Sequence, residues 1–252
     1  MYPYIKVLNL TIPSYGLCIC VALLLCVAMI FKKADKNNMN FNNLVILIAV
    51  SIGCGILGGI ILYIFVTYDF EMLCEQIMLG NISFLVNPGL VFYGGLLGGI
   101  AGGTIAALFL NIRIEDIESC VVPYIPLGHA VGRIGCFLAG CCHGFLYNGI
   151  LAVPSIIDDK TYFPLQLIEA FFNILIMTVL LFYTKKERSR YSVLFLYLIM
   201  YSFVRFFLEF FRGDDIRGFL ICLSTSQWIS LVIFFFSLTV WLVQYRSRFA
   251  HR

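Results

Sequence analysis

Apolar residues run almost unbroken through seven stretches of the chain, roughly 12–31, 43–67, 89–111, 119–140, 164–184, 191–212 and 227–245, and polar residues gather between them. Each stretch is near the ~20 residues that a helix needs to cross a ~30 Å hydrocarbon layer. Lipid offers the backbone no hydrogen-bond partners, so a spanning segment satisfies its own N–H and C=O groups as a helix. The pattern therefore predicts an all-α, polytopic membrane protein with about seven transmembrane helices, in one domain over residues 1–252. The first run, Ile12 to Phe31, lacks a basic leading region and a small-residue cleavage site. It reads as a retained first helix rather than a signal peptide.

Finer punctuation modifies the spans. The third begins Phe92-Tyr93-Gly94-Gly95 and continues with Gly98, Gly99, Gly102 and Gly103, several of them four apart. That spacing makes a groove for close approach of another helix, as do Gly53, Gly55, Gly58 and Gly59 in the second span. Gly94 and Gly95, beside Tyr93 at the outer end, are the exceptions with a candidate binding role. Pro123 and Pro126 interrupt the fourth span, and non-helical backbone at that depth needs burial or a cavity. Pro164 suits the first position of the fifth helix. The loop from Tyr68 to Pro88 has room for a short interfacial helix, and Ile112 to Ser119, with Glu115, Asp116 and Glu118, reads as a solvated turn.

Composition agrees: 61% of the 252 residues are hydrophobic and only 12% are charged. The net charge of +3 suggests no nucleic-acid partner and is more useful for topology. If the spans alternate, Lys32, Lys33, Lys36, Arg113, Lys185, Lys186, Arg188, Arg190, Arg246, Arg248 and Arg252 share one side, against Lys6, Lys160, Arg212 and Arg217 on the other. The positive-inside rule then places the N-terminus outside and the C-terminus in the cytoplasm. Of the ten cysteines, Cys18, Cys20, Cys26, Cys54, Cys120 and Cys222 look like small apolar residues in or near spans.

Two basic residues, Arg133 and Arg205, fall inside spans, where an isolated arginine costs about 2.5–3.5 kcal/mol and marks function by default. On a helix, His129, Arg133 and Cys136 lie at i, i+4 and i+7, on one face. Tyr201, Arg205, Glu209 and Arg212, at i, i+4, i+8 and i+11 on the sixth span, form a second stripe. Gln166 and Glu169 share a face, and Glu169 in its apolar run calls for an arginine from another span. The arginines together suggest a site for a phosphate-bearing lipid head group. Cys136, Cys141, Cys142 and His143 form a third group. A metal site is a third reading of them, but their Cys-x4-Cys-Cys-His spacing matches no common zinc pattern; no metal and no cofactor is expected.

These segments resemble the bacterial prolipoprotein diacylglyceryl transferase family along nearly the whole chain. Gly132-Arg133-Ile134-Gly135-Cys136-Phe137 and Gly144 match most of its signature Gly-Arg-x-Gly-Asn-Phe, Glu, Gly. Tyr15-Gly16, Phe92-Tyr93-Gly94-Gly95-Leu96, Pro164-x-Gln166-x-x-Glu169, Arg205-x-x-x-Glu209-Phe210-Phe211-Arg212 and Ser226-Gln227 follow in the family's order. The departures are Tyr93 for the family histidine, Cys136 for its asparagine and Cys141 for its glutamate.

The resemblance implies transfer of a diacylglyceryl group from phosphatidylglycerol to a thiol in a lipoprotein signal peptide, in the bacterial plasma membrane. Arg133 and Arg205 would hold the phosphate leaving group. Tyr93, His129, Cys136 and His143 would complete the catalytic set. Tyr15, Gly94, Gly95, Gly144, Gln166, Glu169, Tyr201, Glu209 and Arg212 would bind substrate. Tyrosine, with its high pKa, is a weak stand-in for a histidine base, which leaves His129 and His143 as the groups titrating near neutrality. A related transferase with another thiol acceptor, and a membrane thiol-redox protein using Cys136, Cys141 and Cys142, are the alternatives.

Overall fold

The computed structural model describes residues 2–7, 10–79, 91–155, 159–185, 192–213, 219–220 and 223–250. Lys186, Arg188, Arg190, Arg217, Cys222 and Arg252, together with the stretch before Val91, lie outside the described residues. Among the described residues, six helices are long and apolar enough to cross a membrane, and a further apolar helix, Tyr93–Phe109, is shorter. The protein is an all-α, polytopic membrane protein.

Chain contacts divide it into two compact units, Met1–Lys33 with Glu115–Arg252, and Ala34–Ile114. The second unit is built on α2 (Phe41–Thr67), α3 (Phe70–Met78) and α4 (Phe92–Phe109). Asn40 caps α2, its side chain accepting from the N–H groups of Asn42 and Asn43 at 2.9 and 3.3 Å. The glycine spacing does what it predicts: α2 and α4 meet at backbone distance. A Cβ on Gly58 would strike Gly94 O, and one on Gly98 would strike Cys54 O. A Cβ on Gly94 would in turn strike Gly58 O, so packing alone accounts for that glycine. Tyr93 is buried in this unit, and α3 is the short helix expected after Tyr68.

The first unit opens with a hairpin that the apolar pattern did not reveal, β1 (Tyr4–Val7) against β2 (Leu10–Pro13). There follow α1 (Ser14–Asp35), α5 (Ile114–Cys120), a 3-10 turn (Val122–Tyr124) and α6 (Ile125–Ala139). Two short strands, β3 (Val153–Pro154) and β4 (Thr161–Tyr162), precede α7 (Leu165–Tyr183) and α8 (Ser192–Leu208). A 3-10 turn (Glu209–Phe211), β5 (Phe219–Leu220), β6 (Leu223–Ser224) and α9 (Thr225–Ala250) complete it. Helix α7 packs on α6, α8 on α7 and α9 on α8. Gly128 and Gly135 turn one side of α6 toward α1, where a Cβ would meet Cys26 Sγ at 3.2 Å and Cys18 Cβ at 2.8 Å respectively.

Three expectations need correction. The segment read as a solvated turn is largely helix α5, and Glu118 on it is buried at 3% exposure. Its carboxylate accepts from the N–H groups of Val193 and Leu194 at 2.5 and 3.0 Å. It thus satisfies donors at the start of α8 that no residue within that helix can reach. Pro164 stands just before α7 as its N-cap, not inside it. The sixth span does not remain helical to Arg212: α8 ends at Leu208, and Arg212 is extended. The stripe of four on one helix is therefore interrupted, because the chain must leave the helix to pair Arg212 with Gly144.

Candidate active site

The prolines decide where α6 starts. Pro123 and Pro126 lie in and just after the 3-10 turn, and α6 then runs without a break to Gly140, whose φ of 76° ends it. His129, Arg133 and Cys136 consequently share a face, as their spacing requires. The residue that organises that face belongs to α7. Glu169, 1% exposed, places Oε1 3.0 Å from Arg133 Nη2 and Oε2 3.7 Å from Arg205 Nη1. Tyr201 Oη donates to Glu169 Oε1 at 3.3 Å. Arg205 also pairs with Glu209 through Nη2. The two arginines thus converge on one carboxylate. Glu169 and Glu209 balance the two arginines charge for charge.

His129 Nε2 lies 3.3 Å from Arg133 Nε and 3.5 Å from Glu169 Oε1. Arg133 Nε can only donate, so Nε2 must present its lone pair and the ring is neutral with its proton on Nδ1. The approach to Glu169 is then a close contact rather than an ion pair. His129 orients Arg133, and its ring rests against Tyr201 at 4.9 Å between centroids. His143 has a different setting. Its Nδ1 lies 3.0 Å from Gly144 O, which can only accept, so Nδ1 donates that bond. The ring stacks on Tyr162 at 3.8 Å.

Beyond α6 the chain enters a small ribbon. Gly144 N donates to Phe163 O at 3.0 Å, Phe145 N to Phe211 O at 3.1 Å and Gly213 N to His143 O at 3.4 Å. A Cβ on Gly144 would lie 2.8 Å from Phe163 O and 2.9 Å from Phe211 O, so only glycine fits. The same pairing carries Arg212 to the side of Gly144. Gln166, at 1% exposure, donates Nε2 to Cys141 O at 2.7 Å. Tyr15, at the start of α1, lies against Gly135 and within electrostatic reach of Cys136, Cys141 and Arg133. The Cys142 thiol is held below the usual thiol range by hydrogen bonding from Cys136 and Cys141, with Arg212 and Arg133 adding to the effect.

The structure therefore gathers Arg133, Arg205, His129, Glu169, Tyr201 and Glu209 into one buried network, with Tyr15, Cys136, Gln166 and Arg212 at its border. Tyr93, Gly94 and Gly95 belong to the other unit. Two members were missed. Asn173 donates Nδ2 to Glu169 O at 2.8 Å and interacts with His129; its place one turn beyond Glu169 was the available signal. Ser224 donates Oγ to Glu209 Oε1 at 3.1 Å. It also forms a capping box with Gln227: Ser224 N donates to Gln227 Oε1 at 2.9 Å and Gln227 N to Ser224 Oγ at 3.2 Å. The Ser-x-x-Gln pattern ahead of an apolar run was legible.

Comparison with known proteins identifies the family. The family model described as prolipoprotein diacylglyceryl transferase matches residues 3–243. A Clostridium tetani protein named phosphatidylglycerol–prolipoprotein diacylglyceryl transferase is 34% identical over 233 residues, covering 90% of each chain. A Clostridium perfringens protein of the same name, numbered 2, is 30% identical over 233 residues, covering 90% of this chain and 89% of its own. A Streptococcus pneumoniae protein so named is 29% identical over 250 residues, covering 95% of this chain and 91% of its own. These names favour the transferase reading over a thiol-redox protein. The chain belongs to the prolipoprotein diacylglyceryl transferase family.

Proposed function

We propose that this chain, in the bacterial plasma membrane, moves the diacylglyceryl group of phosphatidylglycerol to the cysteine thiol of a prolipoprotein signal peptide. The observation that carries the reading is the convergence of Arg133 and Arg205 on buried Glu169. Guanidinium groups held by carboxylates need no reorganisation when charge develops beside them, which is the condition for electrostatic stabilisation of a leaving phosphate.

In the reaction the acceptor sulfur attacks the glyceryl carbon bonded to the phosphate oxygen. The C–O bond breaks, glycerol phosphate departs with the electron pair, and the thiol proton is released. His129 holds Arg133 in place, Glu209 and Ser224 hold Arg205, and His143 stands beyond the end of α6. An apolar cavity of about 340 Å³, lined by Phe163, Phe172, Phe203, Phe207 and Phe211, suits an acyl chain beside the same helices.

The test is expression in a strain deprived of its own diacylglyceryl transferase. Growth should return, and a reporter lipoprotein should gain the mass of one diacylglyceryl group. Arg133→Lys keeps the charge but loses the fork, and should lower the transfer rate by about 10²-fold or more. A chain present in the membrane that leaves the reporter unmodified overturns the proposal.

A further inference from the structure

Three thiols come together where α6 ends. The Sγ atoms of Cys136, Cys141 and Cys142 all lie within 4.8 Å of one another. Their meeting is a product of the backbone. Gly140 ends the helix at φ 76°, Cys141 N donates to Cys136 O at 3.1 Å, and Cys142 takes a φ of 59°. The left-handed region is uncommon for a residue with a side chain, and here it folds Cys142 back toward Cys136. Buried Gln166 pins the turn through Cys141 O at 2.7 Å. Tetrahedral coordination with metal–sulfur bonds of ~2.3 Å separates the sulfurs by ~3.8 Å, which this cluster reaches with small side-chain movement. Three thiolates around a divalent ion leave one negative charge, and Arg133 and Arg212 both interact electrostatically with Cys142. Cys141 is exposed, so an ion has a way in.

We propose that Cys136, Cys141 and Cys142 bind one thiophilic divalent cation of the zinc class, with a fourth coordination position that the acceptor thiol occupies. The second half rests on the transferase reading. Spacing along the sequence alone does not predict a metal here. The spacing has no common zinc pattern because the turn after Gly140, rather than a regular loop, sets the sulfur geometry.

The chemistry follows from coordination. A thiol bound to such an ion is deprotonated, and its proton passes to water at the outer surface. The bound sulfur then forms the new bond to the glyceryl carbon as the C–O bond to phosphate breaks. The phosphate oxygen keeps the electron pair, so glycerol phosphate leaves as a phosphate monoester, the thioether dissociates from the ion, and the metal changes no oxidation state. A site of this kind supplies the thiolate without a histidine base.

The experiment uses the full chain, purified in detergent under reducing conditions, stripped with a chelator and titrated with cobalt(II) as the probe. The expected result is one cobalt per chain with sulfur-to-cobalt charge-transfer absorption, displaced by zinc. Cys136→Ser, Cys141→Ser and Cys142→Ser should each weaken binding by more than about tenfold, while Cys20→Ser on α1 leaves it unchanged. Equal thermal unfolding of the variants guards against misfolding. A synthetic lipoprotein-signal peptide with cysteine should alter the cobalt spectrum, and its serine analogue should not. Failure of the reduced wild-type chain to bind cobalt stoichiometrically, or binding that survives all three substitutions, overturns the metal site. A chain that lipidates its reporter without binding metal sinks this inference and leaves the transferase reading standing. A chain that binds metal through the three cysteines but never lipidates keeps the site and overturns both the acceptor role and the transferase reading.

Discussion

Glu169 shows how much one side chain organises. It touches Arg133, Arg205, His129 and Tyr201. Removing one partner of a buried ion pair leaves an uncompensated charge, at a cost of about 3–5 kcal/mol. Glu169→Gln should therefore lower the unfolding free energy by that order, read by chemical unfolding in detergent, and should abolish lipidation. Gly144 is critical for a different reason. The groups that would meet a Cβ there are the carbonyls of Phe163 and Phe211, fixed by the ribbon, not flexible side-chain ends. Gly144→Ala should cost about 1–3 kcal/mol by overpacking, visible as a lower melting temperature with the ion-pair network otherwise present. The need of Glu169 for an arginine was legible in its apolar run. The identity of that arginine was not, because it depends on which helix lies alongside α7.

At the scale of elements, ends carry as much information as interiors. α8 begins on the carboxylate of Glu118, and α9 begins with the Ser224–Gln227 capping box. Ser224→Ala removes the cap and the hydrogen bond to Glu209 together. The cap alone is worth about 0.5–2 kcal/mol, so hydrogen exchange should quicken at the first turn of α9. In the second unit, the α2–α4 seam depends on glycines whose facing atoms are backbone. Gly98→Val should separate those helices, and a cysteine pair placed across the seam should cross-link in the wild-type background only. Glycine spacing announced that seam. It did not name its partner, since Gly55 and Gly58 are equally able to face any small-residue groove.

For the whole molecule, the eleven basic residues assigned above to one side predict an outer N-terminus and a cytoplasmic C-terminus. Reporter fusions after residues 37 and 185 should read as cytoplasmic and one after residue 148 as external; the reverse pattern contradicts the topology. Sequence by itself determined the all-α membrane class, the approximate spans, the shared face of His129, Arg133 and Cys136, and the family. The first three follow from length, apolar runs and helical period, and the family from the resemblance of short motifs, all of which are local along the chain. Tertiary structure decided the rest. It brought Arg133 and Arg205 to one carboxylate, buried Glu118 against α8, ended that helix before Arg212, and turned three cysteines onto one another after Gly140. Each of these depends on long-range packing or on a single backbone dihedral, and neither leaves a periodic trace in the order of residues.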